Sequence, residues 1–349
     1  MFILSECFPR SCSAFAQPFS FTAPLFNFNS TPFLSSDNKH NTTPQHSADG
    51  WFSHDEQPEP STGPSKFIYG EKGQNILSID NPLTASASNT LYTGSVYNKT
   101  NKKTTHPVVV KHSPYKEMIE GFKLLENVHS PYVVKSIGYF KVSASKTRSG
   151  QDEYFLIMPY LDQTLDEYMY CAGDIKSLYL VFEQLLDAIV AMHSHGIAHH
   201  DINPRNAMVQ NEEAKWIDFD HATKIQKSSN RHNCMGFAAQ DYIDAPPLKT
   251  PYSPHKADIF SMGMMLVYTL ILQNESATLD VWENTQNCNT RQEVADVLGC
   301  LEGFWNTSEE MIKLLSQVLC KDARSRLSAR VFLSRFQATP EYRQIVGSD

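Results

Sequence analysis

The hydrophobic pattern of the chain is mixed at first and becomes helical later. Two β-branched runs, at residues 96–97 and 108–110, flank a polar stretch at 98–102 and predict a β-hairpin. Apolar residues at 118, 119, 122, 124, 125 and 128 recur at helical spacing and predict a helix over 115–128. Two further apolar segments, 133–140 and 154–158, predict strands.

After Pro159 the pattern becomes mostly helical. Amphipathic or apolar periodicity predicts helices at 178–195, 257–273, 309–319 and 329–336. Strands that come first and helices that follow are typical of an α+β protein, here with a small sheet lobe and a larger helical lobe.

Residues 1–65 differ from the rest of the chain in composition and in hydrophobic pattern. Ser, Thr, Asn and Pro dominate this segment, single phenylalanines are spaced along it, and neither helical nor alternating periodicity persists. Because frequent prolines also interrupt any regular element, we expect the segment to be disordered. Two interpretations of the phenylalanines remain open. Either they form docking contacts for a partner, or the segment is a tail without a role.

Composition narrows the class of protein. A chain of 349 residues is long enough for about two folding units at roughly 150 residues each. The net charge of -8 argues against a dedicated nucleic-acid-binding protein. The seven cysteines are widely spaced without a Cys-x-x-Cys pair, which indicates buried thiols in a reducing compartment rather than disulfides or a zinc site.

Targeting and membrane signals are weak. The longest apolar stretch, residues 259–272, is shorter than the roughly 18 residues of a membrane span and predicts a buried helix. The first residues lack a basic region followed by an apolar block, so no signal peptide is expected. These features predict an intracellular protein, cytoplasmic or nuclear. They give no indication of its oligomeric state.

Candidate chemistry is concentrated in two short segments. Asp201 is followed five residues later by Asn206, and Asp218 ends an apolar strand. This combination suits phosphoryl transfer. One carboxylate can accept a proton, and the amide and the second carboxylate offer hard oxygen ligands to Mg²⁺. Lys111 follows the Val108–Val110 run and supplies a cation for nucleotide phosphates.

In their order along the chain, these residues resemble the motifs of the eukaryotic-type protein kinase domain. The resemblance covers roughly residues 89–336, and an ordered set of motifs is far more specific than any one of them. The matching segments are 108–111 (VVVK), 157–161 (IMPYL), 199–201 (HHD) with Asn206, 218–220 (DFD), 245–247 (APP), 257–263 (ADIFSMG) and 322–327 (DARSRL).

The resemblance implies a bilobal kinase fold, with a β-rich N-lobe at about 66–158 and a helical C-lobe at about 159–340. It implies ATP and Mg²⁺ as cofactors and a protein substrate. By this resemblance Lys111 holds the α- and β-phosphates, Asp201 is the catalytic base, and Asn206 and Asp218 bind the metal. Met158 takes the gatekeeper position, and the backbones of Tyr160 and Leu161 bind adenine.

The glycine-rich phosphate loop departs from the family pattern. When the loop is aligned with residues 89–96, only Gly94 of its three glycines remains, followed by Val96. Glycines let backbone N–H groups approach phosphates closely. We therefore expect Gly94 and Val96 to contact the nucleotide and the phosphate cradle to be weakened.

The helix after Lys111 should offer a glutamate that orients the lysine. Gly121 occupies the expected position, with Glu120 adjacent and Glu117 one turn back. Glu117 is the favoured partner of Lys111 in the sequence, and a pair of solvated surface carboxylates is the alternative.

Further departures lie in and near the catalytic loop. Asn203 replaces the lysine of serine/threonine kinases, and Arg205 is expected to supply the missing charge, as an arginine does at this offset in tyrosine kinases. His200 replaces the arginine that receives an activation-loop phosphate. Asp220 replaces the glycine after Phe219 and is a candidate extra metal ligand. Pro247 replaces the glutamate that would pair with Arg326.

Three functions are therefore compatible with the sequence. The first is an active protein kinase of serine/threonine type, supported by Lys111, Asp201, Asn206 and Asp218 together. The second is a pseudokinase that binds nucleotide or acts as a scaffold, supported by the departures. The third is a small-molecule kinase, against which the segments 257–263 and 322–327 argue.

Overall fold

A computed structural model of the protein describes the greater part of the chain from residue 65 onward. The predicted disordered segment therefore lies outside the described residues apart from Ser65, as does the 245–247 motif. In the described part of the chain, no helix is long and apolar enough to cross a membrane. The described residues are 65–69, 75–85, 89–98, 104–147, 149–171, 174–224, 237–238, 253–272, 284–285, 288, 290–305 and 307–347.

The N-lobe is built on an antiparallel sheet. Its strands are β1 Ser65–Tyr69, β2 Asn75–Ala85, β3 Thr90–Asn98, β4 Thr104–Ser113, β5 Gly138–Val142 and β6 Glu153–Pro159. Their order across the sheet is β1-β2-β3-β4-β6-β5. The predicted hairpin is confirmed, since β3 and β4 pair antiparallel.

The helices lie mostly in the C-lobe. They are α1 Glu117–Leu124, α2 Leu165–Cys171, α3 Ile175–Ser194, α4 Pro254–Leu272, α5 Arg291–Trp305, α6 Glu309–Leu319, α7 Ala329–Phe336 and α8 Pro340–Val346. The predicted bounds of α6 and α7 are confirmed. Helices α3 and α4 begin at 175 and 254 rather than at 178 and 257.

One predicted strand is wrong in extent. In the segment 133–140 only the part from Gly138 joins the sheet, as β5. Val133 instead forms an isolated parallel bridge with Trp216, and Val134 N–H donates to the Trp216 carbonyl. An apolar run shows that a segment is buried, but it does not show which partner covers it.

Helix α3 leads directly into the catalytic loop. Its N-terminus is capped by Asp174, whose carboxylate accepts from Lys176 N–H. At its other end Gly196 adopts φ +70°, a left-handed conformation that glycine enters without strain and that ends helices. The core along α3 is apolar throughout, with Leu185 and Ile189 fully buried. The position of the loop is therefore set by a helix whose apolar face is buried in the core of the C-lobe.

Two small sheets hold the chain on either side of the catalytic loop. One consists of β7 Gln163–Thr164, β9 Ala207–Gln210 and β10 Glu213–Trp216, in the order β10-β9-β7. The other pairs β8 Ile197–Ala198 with β11 Thr223–Lys224. The loop leaves β8 and enters β9, and the 218–220 segment leaves β10 and reaches β11. Both predicted chemical segments thus lie between paired strands.

Candidate active site

Lys111 forms an ion-pair cluster with two aspartates. Its Nζ donates to Asp218 Oδ1 over 2.9 Å and to Asp220 Oδ2 over 2.8 Å. Lys111 is only 5% exposed. Because a buried cation is costly unless it is paired, the cluster accounts for how β4 can carry a charge into the interior. The structure thus brings together Lys111 and Asp218, as the sequence predicts.

Opposing effects act on the pKa values of this cluster. Burial favours a neutral Lys111, yet Asp218 and Asp220 outweigh it and raise the pKa of the lysine. Burial also opposes ionisation of Asp218, but Lys111 holds the pKa of that carboxyl below its usual value. Burial and the charge of Asp218 raise the pKa of Asp220. The pair of aspartates therefore shares one cation, with Asp218 the more readily ionised member.

The segment around Phe219 is fixed by close packing. Phe219 is fully buried, and its ring lies 5.1 Å from those of Phe122 and His199. Asp218 adopts φ +52°, a left-handed conformation that is uncommon for a side chain other than glycine. Such backbone conformations persist where the surroundings over-determine them. The Phe219 ring is thus packed between α1 and the start of the catalytic loop.

Asp201 is oriented by two amide side chains of its own loop. Asn206 Nδ2 donates to Asp201 Oδ2 over 2.6 Å and to the Asp201 carbonyl over 2.8 Å. Asn203 Nδ2 donates to Asp201 Oδ1 over 3.2 Å. Since the amide nitrogen of Asn206 is directed to Asp201, its amide oxygen is the atom that suits a cation. The structure therefore brings Asp201 and Asn206 together as predicted.

Asp258 of α4 anchors the start of the catalytic loop through hydrogen bonds. Its carboxylate accepts from the backbone N–H groups of His199 and His200, each over 2.9 Å, and lies 2.8 Å from His193 Nε2. Burial opposes its ionisation, but His193 and the other neighbouring histidines bring the pKa of Asp258 to about 2. His199 is fully buried against Trp216 and Phe219, which adds packing to the hydrogen bonds that hold the loop.

Gly94 and Val96 lie away from Lys111, contrary to the prediction. Paired residues on neighbouring strands share a face, and β3 pairs Leu91 with Lys111, Gly94 with Val108 and Val96 with His106. Val96 is buried in the cluster above the sheet with Val108. A Cβ at Gly94 would lie 2.5 Å from the Ser78 carbonyl oxygen, so this glycine serves close strand packing.

The face shared with Lys111 carries Leu91 and Leu156, which the sequence analysis missed, beside Met158, which it named. Leu91 and Leu156 pair directly with Lys111, and Val109 and Met158 form the next pair on that face. Strand alternation, counted from Lys111 instead of from the glycine motif, is the signal that would have found Leu91. The connection from β2 to β3, where a phosphate loop belongs, spans residues 86–89, of which 86–88 lie outside the described residues.

The segment predicted as the hinge begins where β6 ends. Met158 is nearly buried at the end of the sheet, opposite Val109. Tyr160 N–H donates to the Pro107 carbonyl over 3.2 Å, so that donor is engaged within the protein. Leu161, the other predicted hinge residue, follows it and is buried.

The predicted partner of Lys111 on α1 is not where the sequence analysis put it. Glu117 is exposed at the first turn of α1, and Glu120 is also exposed and pairs with Lys116 over 3.0 Å. Gly121 faces inward against Phe219, where a Cβ would lie 1.8 Å from the carbonyl oxygen. The correction has a steric cause: α1 approaches the 218–220 segment with its backbone, and the carboxylates on α1 point to solvent.

Arg205 and Arg326 differ in their surroundings. Arg205 is exposed in the short 3₁₀ helix Pro204–Asn206, and its charge acts on Asp166, whose pKa burial nevertheless raises. Arg326 is buried and donates to the carbonyls of Cys320 and Lys321. Its charge is thus solvated by backbone oxygens, consistent with the proline at the position where a glutamate partner is expected.

Comparisons with known proteins agree with this geometry. The family model described as Protein kinase domain matches residues 92–336. Serine/threonine-protein kinase max-2 of Caenorhabditis elegans is 28% identical over 207 residues, which cover 55% of this chain and 30% of the relative. PrkC, a serine/threonine-protein kinase of Bacillus subtilis, is 28% identical over 119 residues, covering 33% of this chain and 18% of the relative.

A probable cyclin-dependent serine/threonine-protein kinase of Dictyostelium discoideum is 25% identical over 274 residues. This alignment covers 68% of the chain and 41% of the relative. In each of these three comparisons, the chain spans less than half of the relative's length.

Proposed function

This chain belongs to the protein kinase family, and we propose that it transfers the γ-phosphoryl group of ATP to a serine or threonine hydroxyl of a protein substrate. The observation that carries the proposal is a pair of hydrogen-bonded clusters, Lys111 with Asp218 and Asp201 with Asn206. The two segments are joined through the backbone, because Ile217 N–H donates to the Asn206 carbonyl over 2.9 Å. Phosphoryl transfer depends on positioning and charge stabilisation, and these are the groups it needs.

The proposed roles follow from the atoms that each residue presents. Lys111 binds the α- and β-phosphates from β4. Leu91 and Val109 cover the adenine from the sheet, and the Leu161 backbone binds its edge. Asp201, held by Asn206, orients the acceptor hydroxyl and takes its proton.

The donor set of the site fits magnesium. Asp218 offers a carboxylate that is 34% exposed, and Asn206 offers an amide oxygen; both are hard oxygen ligands. When bound, Mg²⁺ supplies positive charge that offsets the charge of the phosphates. Arg205 adds a cation at the mouth of the site, in place of the lysine replaced by Asn203.

Two partner assignments complete the proposal. The protein substrate binds across the mouth of the site near Arg205. For the segment 1–65, docking of a partner through its spaced phenylalanines is one assignment, and a tail without a role is the other. An intracellular location, cytoplasmic or nuclear, is part of the same proposal.

A test uses the full chain with Mg²⁺, γ-labelled ATP and a mixture of unrelated acceptor proteins. We expect labelled serine or threonine, and a loss of at least about a hundredfold on Asp201→Asn. Asp296→Asn, an exposed aspartate on α5, is the matched control and should transfer normally. Label on tyrosine alone would contradict the serine/threonine assignment.

A nucleotide-binding pseudokinase is the second candidate, and a specific observation favours it. Lys111 is held by two carboxylates, which compete with phosphates for the same cation. The segment 84–89 before β3 also contains no glycine to approach phosphates. Nucleotide binding by the full chain, with no transfer above that of the Asp201→Asn variant on any acceptor, would favour this function.

A further inference from the structure

The two carboxylate partners of Lys111 differ in burial. The Asp220 side chain is 16% exposed, whereas that of Asp218 is 34% exposed. Their distances to Lys111 Nζ are nearly equal, at 2.8 and 2.9 Å. The more deeply buried partner is therefore the residue that follows Phe219, which has no place in the mechanism so far.

We propose that Asp220 is the positioning residue that aligns Lys111 for the nucleotide phosphates, in place of a carboxylate on α1. This inference rests on the proposed nucleotide site. In that site Asp218 is a magnesium ligand, and a carboxylate that binds a cation attracts a second cation less strongly. Asp220 then remains as the fixed anion that keeps Lys111 directed into the cleft.

The packing of α1 explains why the partner comes from the 218–220 segment. Gly121 lies against Phe219, and the space for any side chain there is filled by the Phe219 backbone. The neighbouring glutamates point to solvent, with Glu120 bound to Lys116. Because residue 121 has no side chain, α1 can pack directly against the 218–220 segment. That segment supplies, through Asp220, the carboxylate that α1 does not direct toward Lys111.

A metal-ligand role for Asp220 is the rival explanation. Asp220 Oδ1 is buried and has no hydrogen-bond partner among the described residues. That oxygen is the one a metal would reach, while Oδ2 is engaged by Lys111. The two roles differ in what happens without metal. A residue that aligns Lys111 supports nucleotide binding even when no metal is present, whereas a metal ligand supports it only when metal is bound.

The experiment measures ADP affinity of the full chain by calorimetry, with a chelator and then with excess Mg²⁺. We expect Asp220→Asn to weaken metal-free ADP binding about tenfold, the effect of losing one hydrogen bond to a charged group. Lys111→Met should weaken binding at least as much, and the double variant should be no weaker than Lys111→Met alone. Glu120→Gln, the adjacent exposed carboxylate on α1, should leave the affinity unchanged.

Magnesium titrations distinguish a metal-ligand role of Asp220 from alignment of Lys111. The Mg²⁺ concentration that gives half of the full effect on ADP binding should be the same for Asp220→Asn as for the unmodified chain. For Asp218→Asn this concentration should be higher. Asp220→Glu, which keeps a carboxylate, should restore part of the affinity. Asp220→Gly carries the residue usual in the family and replaces Asp220→Asn if that variant does not fold.

Three results would overturn the proposal: tighter or unchanged ADP binding by Asp220→Asn, additive losses in the double variant, or a raised Mg²⁺ requirement of Asp220→Asn. The proposed function fails separately. A chain that binds ADP but transfers no phosphate refutes transfer alone, whereas a chain that binds no nucleotide refutes both.

Discussion

Gly121 of α1 lies directly against the carbonyl group of Phe219, with no room for a methyl group between them. A Cβ at position 121 would lie 1.8 Å from the Phe219 oxygen and 2.7 Å from its carbonyl carbon. The obstacle is backbone, which cannot rotate aside as a side chain does. Helix α1 and the 218–220 segment are therefore in contact because this residue is glycine.

Gly121→Ala should destabilise the fold. Alanine is favoured over glycine in a helix by about 1 kcal/mol, but the overlap with Phe219 forces α1 to move. We expect a net loss of about 1–3 kcal/mol in the free energy of unfolding, measured by denaturant titration. Gly299→Ala is the control, because an added Cβ on α5 meets no atom within 4 Å. That control should gain up to about 1 kcal/mol, and a similar gain at 121 would contradict the packing described here.

Asp258→Asn should release the catalytic loop from α4. The carboxylate accepts from two backbone N–H groups and faces His193, and an amide would turn a donor toward one of these donors. We expect a loss on the order of 3 kcal/mol in unfolding free energy, since a fully buried hydrogen-bonded charge is removed. Asp322→Asn is the control, because this exposed aspartate caps a 3₁₀ helix and asparagine caps equally well. Equal losses in both variants would refute the anchoring role.

The site residues differ in how well the sequence predicts them. Asp201, Asn206 and Asp218 follow from motif spacing because short loops between paired strands hold them at fixed separations. Gly94 does not, since a single glycine is compatible both with a phosphate loop and with close strand packing. The register of β3 against β4 decides between these, and register depends on the whole sheet.

For the helices, the sequence predicts the ends better than it predicts which face is buried. Helices α6 and α7 match the predicted bounds, because Ser308 and Ser328 cap them and an apolar face follows each cap. The orientation of α1 toward Lys111 was predicted from a count of residues, and the structure places Glu117 on the solvent side. A count gives the position along a helix, but the face that is buried depends on tertiary packing, here on Gly121 against Phe219.

His255 should make stability depend on pH. Its ring stacks on that of His193, with centroids 3.9 Å apart, and burial together with His193 lowers the pKa of His255 to about 4. The unfolded chain then binds a proton near pH 6.5 that the folded chain binds only near pH 4, so stability falls as the pH drops through this window. We expect this residue to account for roughly 1–2 kcal/mol, after allowance for the partial exposure of the ring.

His255→Phe keeps a ring for stacking and removes the titration. Urea midpoints of this variant should change less between pH 7 and pH 5 than those of the unmodified chain. Other neighbouring groups, among them Asp258 and His200, are present in both proteins and cancel in the comparison. His129→Phe, which alters an exposed histidine, should leave the dependence intact. If both variants show the same slope as the unmodified chain, the pKa assignment is wrong.

Arg205→Ala should lower the rate of phosphoryl transfer. Arg205 is the exposed cation of the catalytic loop, two residues beyond Asn203, which replaces the lysine expected there. If Arg205 offsets charge on the transferring phosphate, its loss should reduce kcat about a hundredfold and change the KM for ATP little, because that charge develops in the transition state. Arg205→Lys keeps the cation and should retain a larger part of kcat. Arg324→Ala is a matched control, an exposed arginine in the 3₁₀ helix Ala323–Ser325, and should transfer normally. A raised KM with unchanged kcat on Arg205→Ala would instead assign this arginine to ground-state binding of ATP.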